Sequence, residues 1–402
     1  MPKTGGQLIA ESLDRNQVKN VFCVPGESYL GALDALFDKK KNINIINARH
    51  EAGAANMAES YGKLTGKPGV ALVTRGPGAC HASVGVHIAH QDSTPMVLIV
   101  GDVARNVKDR EAFQEVDFKS FFGPISKWVA EVNDPDRVPE YMNRAFSLAT
   151  SGRPGPVVIV TPEDMLTQMS KVKLPPLSPV LRGEMPSNGV KSLKDSLKNS
   201  KKPLFIIGGS GWSDVACSKF HKFINENNIP VATSFRRQDL FDHKNENFAG
   251  SFGTSVSPKL IDSTKNSDLI IVLGARLGEM TTQGYSIISP QDISKNIMHI
   301  HVDPNELNKV FNANVCINVG VNECCDKLEE LTLDNSDRWK EWRNELNKNY
   351  LEDSKPQKNR NLNNLSKIFE IVEKKFPTNS IITLDAGNNA AWPQRFLSFG
   401  RN

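Results

Sequence analysis

Short apolar runs punctuate the chain between Val21 and Val160: Val21-Phe22-Cys23-Val24, Ile43 to Asn47, Gly69 to Thr74, Met96 to Val100 and Pro156 to Val160. They are nearly continuous rather than alternating, the pattern of strands covered on both faces. Stretches with helical spacing separate them, at Leu8 to Arg15, Tyr29 to Phe37, Ala52 to Ser60 and Ala82 to Ala89. The turn Pro25-Gly26-Glu27 precedes the second of these. This βα alternation predicts an open α/β parallel sheet over residues 1–165.

A second unit of the same kind is expected over residues 199–340. It opens at Pro203 to Ile207, followed by Gly208-Gly209-Ser210-Gly211, and continues through Ile229 to Thr233, Asp268 to Gly274 and Ile297 to Val302. Residues 166–198 read as a linker, because Leu174-Pro175-Pro176-Leu177-Ser178-Pro179 favours extended backbone and its prolines lack amide donors. A helical pattern lies between Asp334 and Leu351, and a second linker is expected over 341–365, near Pro356. The last stretch, 366–402, opens as a helix, then reads as a strand at Ile381-Ile382-Thr383-Leu384 before Asp385-Ala386-Gly387-Asn388-Asn389.

Composition narrows the function classes. A length of 402 residues predicts two or three domains, since single cores rarely grow past about 250–300 residues. A net charge of +4 gives no basic footprint for nucleic acid. No apolar run reaches the length of a membrane span, and no hydrophobic signal region precedes Glu11, Asp14 and Arg15. The six cysteines are scattered, and adjacent Cys324-Cys325 lacks the CxxC spacing of a zinc site or a disulfide framework. A reduced cytoplasmic protein is expected.

The most informative chemistry sits where an apolar strand delivers Glu51 into a helix of small residues, His50-Glu51-Ala52-Gly53-Ala54-Ala55. A second strand then opens into Arg75-Gly76-Pro77-Gly78-Ala79. One reading is a first-turn glutamate favoured by free amides and the helix dipole. The other is a carboxylate left bare for a bound ligand by neighbours too small to cover it. His81, His87 and His90 follow on a candidate helix, form no metal motif by spacing, and read as packing or surface histidines unless one lines the cavity.

Nine motifs in order now carry a resemblance: Val21-Phe22-Cys23-Val24-Pro25-Gly26, His50-Glu51-Ala52-Gly53-Ala54, Gly66-Lys67-Pro68-Gly69-Val70, Gly76-Pro77-Gly78-Ala79, Asp92-Ser93-Thr94-Pro95, Ala112-Phe113-Gln114-Glu115, Gly152-Arg153-Pro154-Gly155-Pro156-Val157, Gly274-Ala275-Arg276 and His301-Val302-Asp303-Pro304. The chain resembles thiamine-diphosphate-dependent enzymes, and within them the acetolactate synthase large subunit. That resemblance implies a pyrimidine-binding domain, a Rossmann-like central domain and a pyrophosphate-binding domain, in that order.

It also implies roles. Glu51 would touch N1′ of the cofactor aminopyrimidine and favour its imino tautomer, the general acid-base contribution of the protein. Gln114 would hydrogen-bond near the thiazolium, Gly76 would contact the cofactor, and the backbone of Gly26 would approach the active site from the neighbouring subunit. Phe113, Phe121, Lys127 and Arg276 would face the substrate. After Arg276 the chain reads Leu277-Gly278-Glu279-Met280-Thr281-Thr282-Gln283-Gly284, where the synthases continue with a phenylalanine and paired aspartates. FAD is a further cofactor the resemblance admits in the central domain, although Gly208-Gly209-Ser210-Gly211 does not reproduce the dinucleotide fingerprint.

In such enzymes Mg²⁺ and the diphosphate are held by a Gly-Asp-Gly motif and a downstream asparagine in the third domain. Neither follows Asp385 here, so the expectation is a chain with no metal ligands of its own that is inactive alone. The partners implied are a 2-keto acid, a second copy of the chain with active sites between subunits, and, for a true synthase, a small regulatory subunit. Two other readings stay open: a decarboxylase or carboligase of another 2-keto acid, and a non-catalytic protein of the same fold that binds a ligand or partner.

Overall fold

The first sheet is built from strands too apolar to tolerate water on either face. In the computed structural model, which describes residues 1–178, 180–292, 294–334, 337–356, 365–377 and 379–400, the chain divides into two units, Met1–Leu181 and Arg182–Asn402. The first unit runs β1 (Lys3–Thr4), α1 (Gly5–Arg15), β2 (Asn20–Cys23), α2 (Leu30–Asp38), β3 (Asn44–Asn47), α3 (Glu51–Thr65), β4 (Gly69–Val73), α4 (Pro77–Asp92), β5 (Met96–Asp102), α5 (Phe118–Phe122), β6 (Trp128–Glu131), α6 (Val138–Thr150), β7 (Pro156–Pro162), α7 (Glu163–Thr167) and β8 (Met169–Ser170). Six strands pair in parallel in the order β3-β2-β4-β5-β7-β6, while β1 and β8 form a small antiparallel pair. Every residue of β4, β5 and β7 is buried.

Local signals fix the helix ends. Thr4 and Gln7 form a reciprocal capping box at α1. His50 Nδ1 accepts from the Ala52 amide at the start of α3, and Gly66, at φ +69°, ends it. Pro77 opens α4 where its missing N–H costs nothing. β6 and α6 were absent from the sequence expectation. Trp128 and Val129 are only partly buried, so β6, at the sheet edge, lacks a fully apolar run.

The second unit runs α8 (Ser187–Asn199), β9 (Pro203–Ile207), α9 (Asp214–Asn227), β10 (Val231–Thr233), β11 (Phe248–Ser251), α10 (Pro258–Asn266), β12 (Leu269–Leu273), α11 (Glu279–Thr282), β13 (Ile297–His301), β14 (Val315–Asn318), α12 (Val321–Glu330), α13 (Lys340–Asp353), α14 (Leu365–Lys375) and α15 (Asn388–Phe396). Its six strands are also all parallel, in the order β11-β10-β9-β12-β13-β14. Two open parallel α/β units therefore stand as the sequence pattern predicts.

Three boundaries differ from expectation. Residues 187–199, expected within a linker, form α8, whose Leu193 and Leu197 enter the second core. The expected linker at 341–365 begins as α13, because Trp342 and Leu346 bury in that core and the Trp339 and Trp342 indoles donate to the carbonyls of Ser200 and Pro203. The remainder of that linker falls largely on residues 357–364, outside the described residues, as do Pro179, Arg401 and Asn402. Ile381 to Leu384, expected as a strand, is irregular, with Ile381, Ile382 and Leu384 exposed. A strand needs a neighbour for its backbone groups, and none is present among the described residues. The tail instead meets its own unit: Arg395 pairs with Asp353 at 2.7 Å, and the His243 amide donates to the Phe399 carbonyl.

Candidate active site

In an open parallel sheet, ligands bind beyond the carboxyl ends of the strands, where the strand order reverses. In the first unit that reversal falls between β2 and β4. The loops leaving those two strands touch: a Cβ added to Gly26 would lie 2.5 Å from Thr74 Cβ. The Ser28 and Thr74 hydroxyls are 2.8 Å apart, and Ser28 Oγ accepts from the Arg75 amide at 3.2 Å. Tyr29 donates to the Val24 carbonyl, and burial pushes its phenol well above the usual range.

Beyond this seam the glycine turn leads into α4. Gly76 sits at φ +54°, and a Cβ there would lie 2.7 Å from Gln114 Cβ and 2.8 Å from the Gln114 carbonyl. Gln114 itself holds φ +65°. Left-handed backbone at a glutamine is sparsely populated, which marks the turn as one held by its surroundings. The Glu115 carboxylate does that holding. It accepts from the Asp109 amide at 2.8 Å and the Ala112 amide at 3.0 Å, and these bonds keep it below the usual carboxylate range. The loop is anchored further back by Lys108, which bridges Asp102 at 3.1 Å and Glu131.

Glu51 is mostly buried in the first turn of α3, with its side chain 14% exposed. Its Oε2 lies 3.0 Å from His81 Nδ1 on α4, and the rings of His81 and His50 are 4.5 Å apart at 31°. Its Oε1 faces Gly78, where an added Cβ would lie 3.5 Å away. Gly26, Glu51, Gly76 and Gln114 thus converge at one end of the first sheet. Phe113 is 78% exposed beside Gln114, and Phe121 meets Phe122 edge-on at 4.8 Å while 39% exposed.

Lys127 is not brought there. It precedes β6, so it lies at the amino-terminal ends of the parallel strands, roughly a strand length (about 17 Å) from the carboxyl ends. Its amine donates to the Ser151 carbonyl at 2.6 Å, and its stem packs on Gly155. Arg276 belongs to the second unit, just past β12, beside that sheet's own reversal between β9 and β12. There Gly209 and Gly274 pack so closely that a Cβ on Gly209 would lie 2.0 Å from the Gly274 carbonyl.

Sequence reasoning left His81 as a packing or surface histidine, and it overlooked Ser28, Thr74 and the bracing role of Glu115. The signal for His81 is its place in the second turn of a helix opening on the glycine turn. Nothing in the sequence told which neighbouring helix that turn faces.

One ligand atom each of His50, Glu51 and His81 lies within 4.8 Å of the others, a spacing a metal ion could bridge. The hydrogen bonds argue against it. His50 Nδ1 spends its lone pair on the Ala52 amide, so in the neutral ring Nε2 carries the proton and no nitrogen is free to ligate. The amino end of α3 also repels a cation. Nitrogen-rich donors do not suit Mg²⁺, which prefers oxygen ligands. Among the described residues no other group of three candidate ligands comes together. None of the six cysteines is in a disulfide. None of the described helices is long and apolar enough to cross a membrane.

Two open parallel α/β units, the first with Glu51 beside the glycine turn that opens α4, make up the described chain. The profile for "Thiamine pyrophosphate enzyme, N-terminal TPP binding domain" matches residues 3–121, and that for "Thiamine pyrophosphate enzyme, central domain" matches residues 190–328. The chain belongs to the thiamine pyrophosphate enzyme superfamily and is related, at low identity, to acetolactate synthase large subunits. It is 30% identical over 337 residues to the acetolactate synthase catalytic subunit, mitochondrial, of Saccharomyces cerevisiae, covering 78% of this chain and 48% of that protein. With the acetolactate synthase isozyme 3 large subunit of Escherichia coli it shares 30% over 334 residues, 82% of this chain and 58% of the relative. With the acetolactate synthase large subunit of Buchnera aphidicola subsp. Schizaphis graminum it shares 29% over 409 residues, 99% and 71%. The chain spans about half the length of the first two.

Proposed function

We propose that this chain supplies the pyrimidine-binding and central parts of a thiamine-diphosphate enzyme that decarboxylates pyruvate and joins the two-carbon unit to a second 2-keto acid. The observation that supports it most is Glu51, held at the switch point of the matched domain with Oε1 facing the bare Cα of Gly78. A Cβ at position 78 would lie 3.5 Å from that oxygen and 2.8 Å from Thr74 Cγ2, so only glycine lets α4 start this close to both. When bound, thiamine diphosphate supplies the electron sink for the decarboxylated carbon, which no side chain here offers. Glu51 holds the proton shared with the pyrimidine nitrogen, and Gln114 presents its amide from a turn too constrained to drift. Gly26 and Gly76 keep the backbone free of obstructing side chains. Phe113 and Phe121 offer apolar surface that excludes water from a bound 2-keto acid.

Arg276 is the central unit's candidate for the substrate carboxylate. Lys127, with its amine committed to Ser151 at the far strand ends, is left out of this chain's own crevice. FAD belongs to the same reading, at Gly208 to Gly211. There Arg237 donates to the Gly209 carbonyl and pairs with Asp239 at 3.1 Å. Flavin absorbance of the gently purified protein tests it.

The direct test is the full-length protein with pyruvate, thiamine diphosphate and Mg²⁺, followed by detection of acetolactate. Glu51→Gln lowers turnover at least about 100-fold on this reading. Release of aldehyde, or consumption of another 2-keto acid alone, supports the rival substrate. That rival is favoured by the departure after Arg276, where Leu277 at φ +52° and the short α11 replace the synthase pattern. A folded protein that binds no thiamine diphosphate would support the non-catalytic reading. Assembly into a homodimer or homotetramer, with or without a small regulatory subunit, is tested by light scattering across a dilution series.

A further inference from the structure

A carboxylate that must meet a ligand with one oxygen needs its other oxygen held, or the group rotates. Glu51 has that hold. A carboxylate oxygen accepts, so the 3.0 Å contact with Oε2 makes His81 Nδ1 the donor, which in the neutral ring is the Nδ1–H tautomer. Oε1 is turned the other way, toward the backbone of Gly78, where an added Cβ would lie 3.5 Å from it. The second turn of α4 faces the first turn of α3 because the two helices pack closely: a Cβ on Gly85 of α4 would lie 2.5 Å from Ala55 Cβ of α3.

His81 is in turn backed by His50, whose ring lies 4.5 Å away and is anchored by the Ala52 amide at 3.1 Å. The sequence of holds runs from the α3 backbone through His50 to His81 and ends at Glu51 Oε2. It spends both histidines on orientation rather than on a metal. Resting on the thiamine-diphosphate reading above, we propose that His81 is a positioning residue for Glu51, directing Oε1 at the cofactor pyrimidine, with His50 as the plate behind it.

Two measurements on the full-length protein test this. Without cofactor, ¹⁵N-histidine NMR should show His81 as the Nδ1–H tautomer, with Glu51→Gln shifting its signals; an Nε2–H tautomer unmoved by Glu51→Gln overturns the proposal. With thiamine diphosphate bound, hydrogen–deuterium exchange at the thiazolium C2 reads how well Glu51 is set. His81→Leu should slow it about 10-fold, and His81→Asn, whose amide nitrogen can stand in for Nδ1, should stay within about 3-fold of wild type. Unchanged exchange in His81→Leu, or His81→Asn as slow as His81→Leu, overturns it. The parent reading fails differently: through exchange that Glu51→Gln leaves untouched, or through absence of cofactor binding, in which case the NMR result alone decides whether His81 holds Glu51.

Discussion

Gly76 faces Gln114 so closely that no side chain fits between them: a Cβ on the glycine would lie 2.7 Å from Gln114 Cβ and 2.8 Å from its carbonyl oxygen. The contact joins the turn after β4 to the loop after β5, and it seats Gln114 against the glycine turn that opens α4. Because the nearest atoms include backbone, the neighbour cannot swing aside. Gly76→Ala is therefore expected to destabilise the first unit by about 1–3 kcal/mol, from strained φ and overpacking together. Denaturant unfolding checks the loss, and a Gly53→Ala variant, with open space around that position, is the control expected to change little.

Glu115 braces the Gln114 turn through two backbone amides. Glu115→Ala should leave global stability nearly unchanged while the amides of Asp109 and Ala112 exchange faster with deuterium. Unaltered protection of those two amides would show that the loop holds itself.

Lys108 lies between two acids, one of them fully buried. Burial pushes the Asp102 carboxyl above its ordinary range, and one Asp102 oxygen has no hydrogen-bond partner. Burial opposes the Lys108 cation, yet Glu131 and Asp102 together hold its pKa above the usual value. Lys108→Met should cost about 3 kcal/mol, since it strands a buried carboxylate. Adding Asp102→Asn should recover part of that loss, which a double-mutant cycle in urea would measure.

The second unit should weaken in acid through its buried histidines. Burial pushes His243 down to about 3 and His301 to about 4. A folded-state value below the unfolded one, about 6.5, means stability is fully present above that pH and drains as pH falls toward 3–4. His243 stacks on Phe248 at 4.0 Å, so phenylalanine is the natural replacement. His243→Phe should flatten the fall in melting temperature between neutral pH and pH 5. An acid limb identical to wild type would place the sensitivity elsewhere.

Much of this architecture was legible in the chain. β4, β5 and β7 announce themselves because a parallel strand buried on both faces must be apolar throughout, and the glycine turn at Gly76 shows because left-handed backbone favours glycine. Edge strand β6 and helix α8 did not show, and the helical pattern at α13 did not show its place in the second core. Their burial depends on a partner surface: Leu193 and Leu197, or Trp342 and Leu346, become core only once the second sheet stands beside them. The sequence by itself determined two βα units and singled out Glu51. Tertiary structure alone decided what surrounds that carboxylate. Helix packing sets His81 on Oε2, and strand direction places Lys127 at the end opposite Gly76, because lateral position in a sheet is not encoded by any local period.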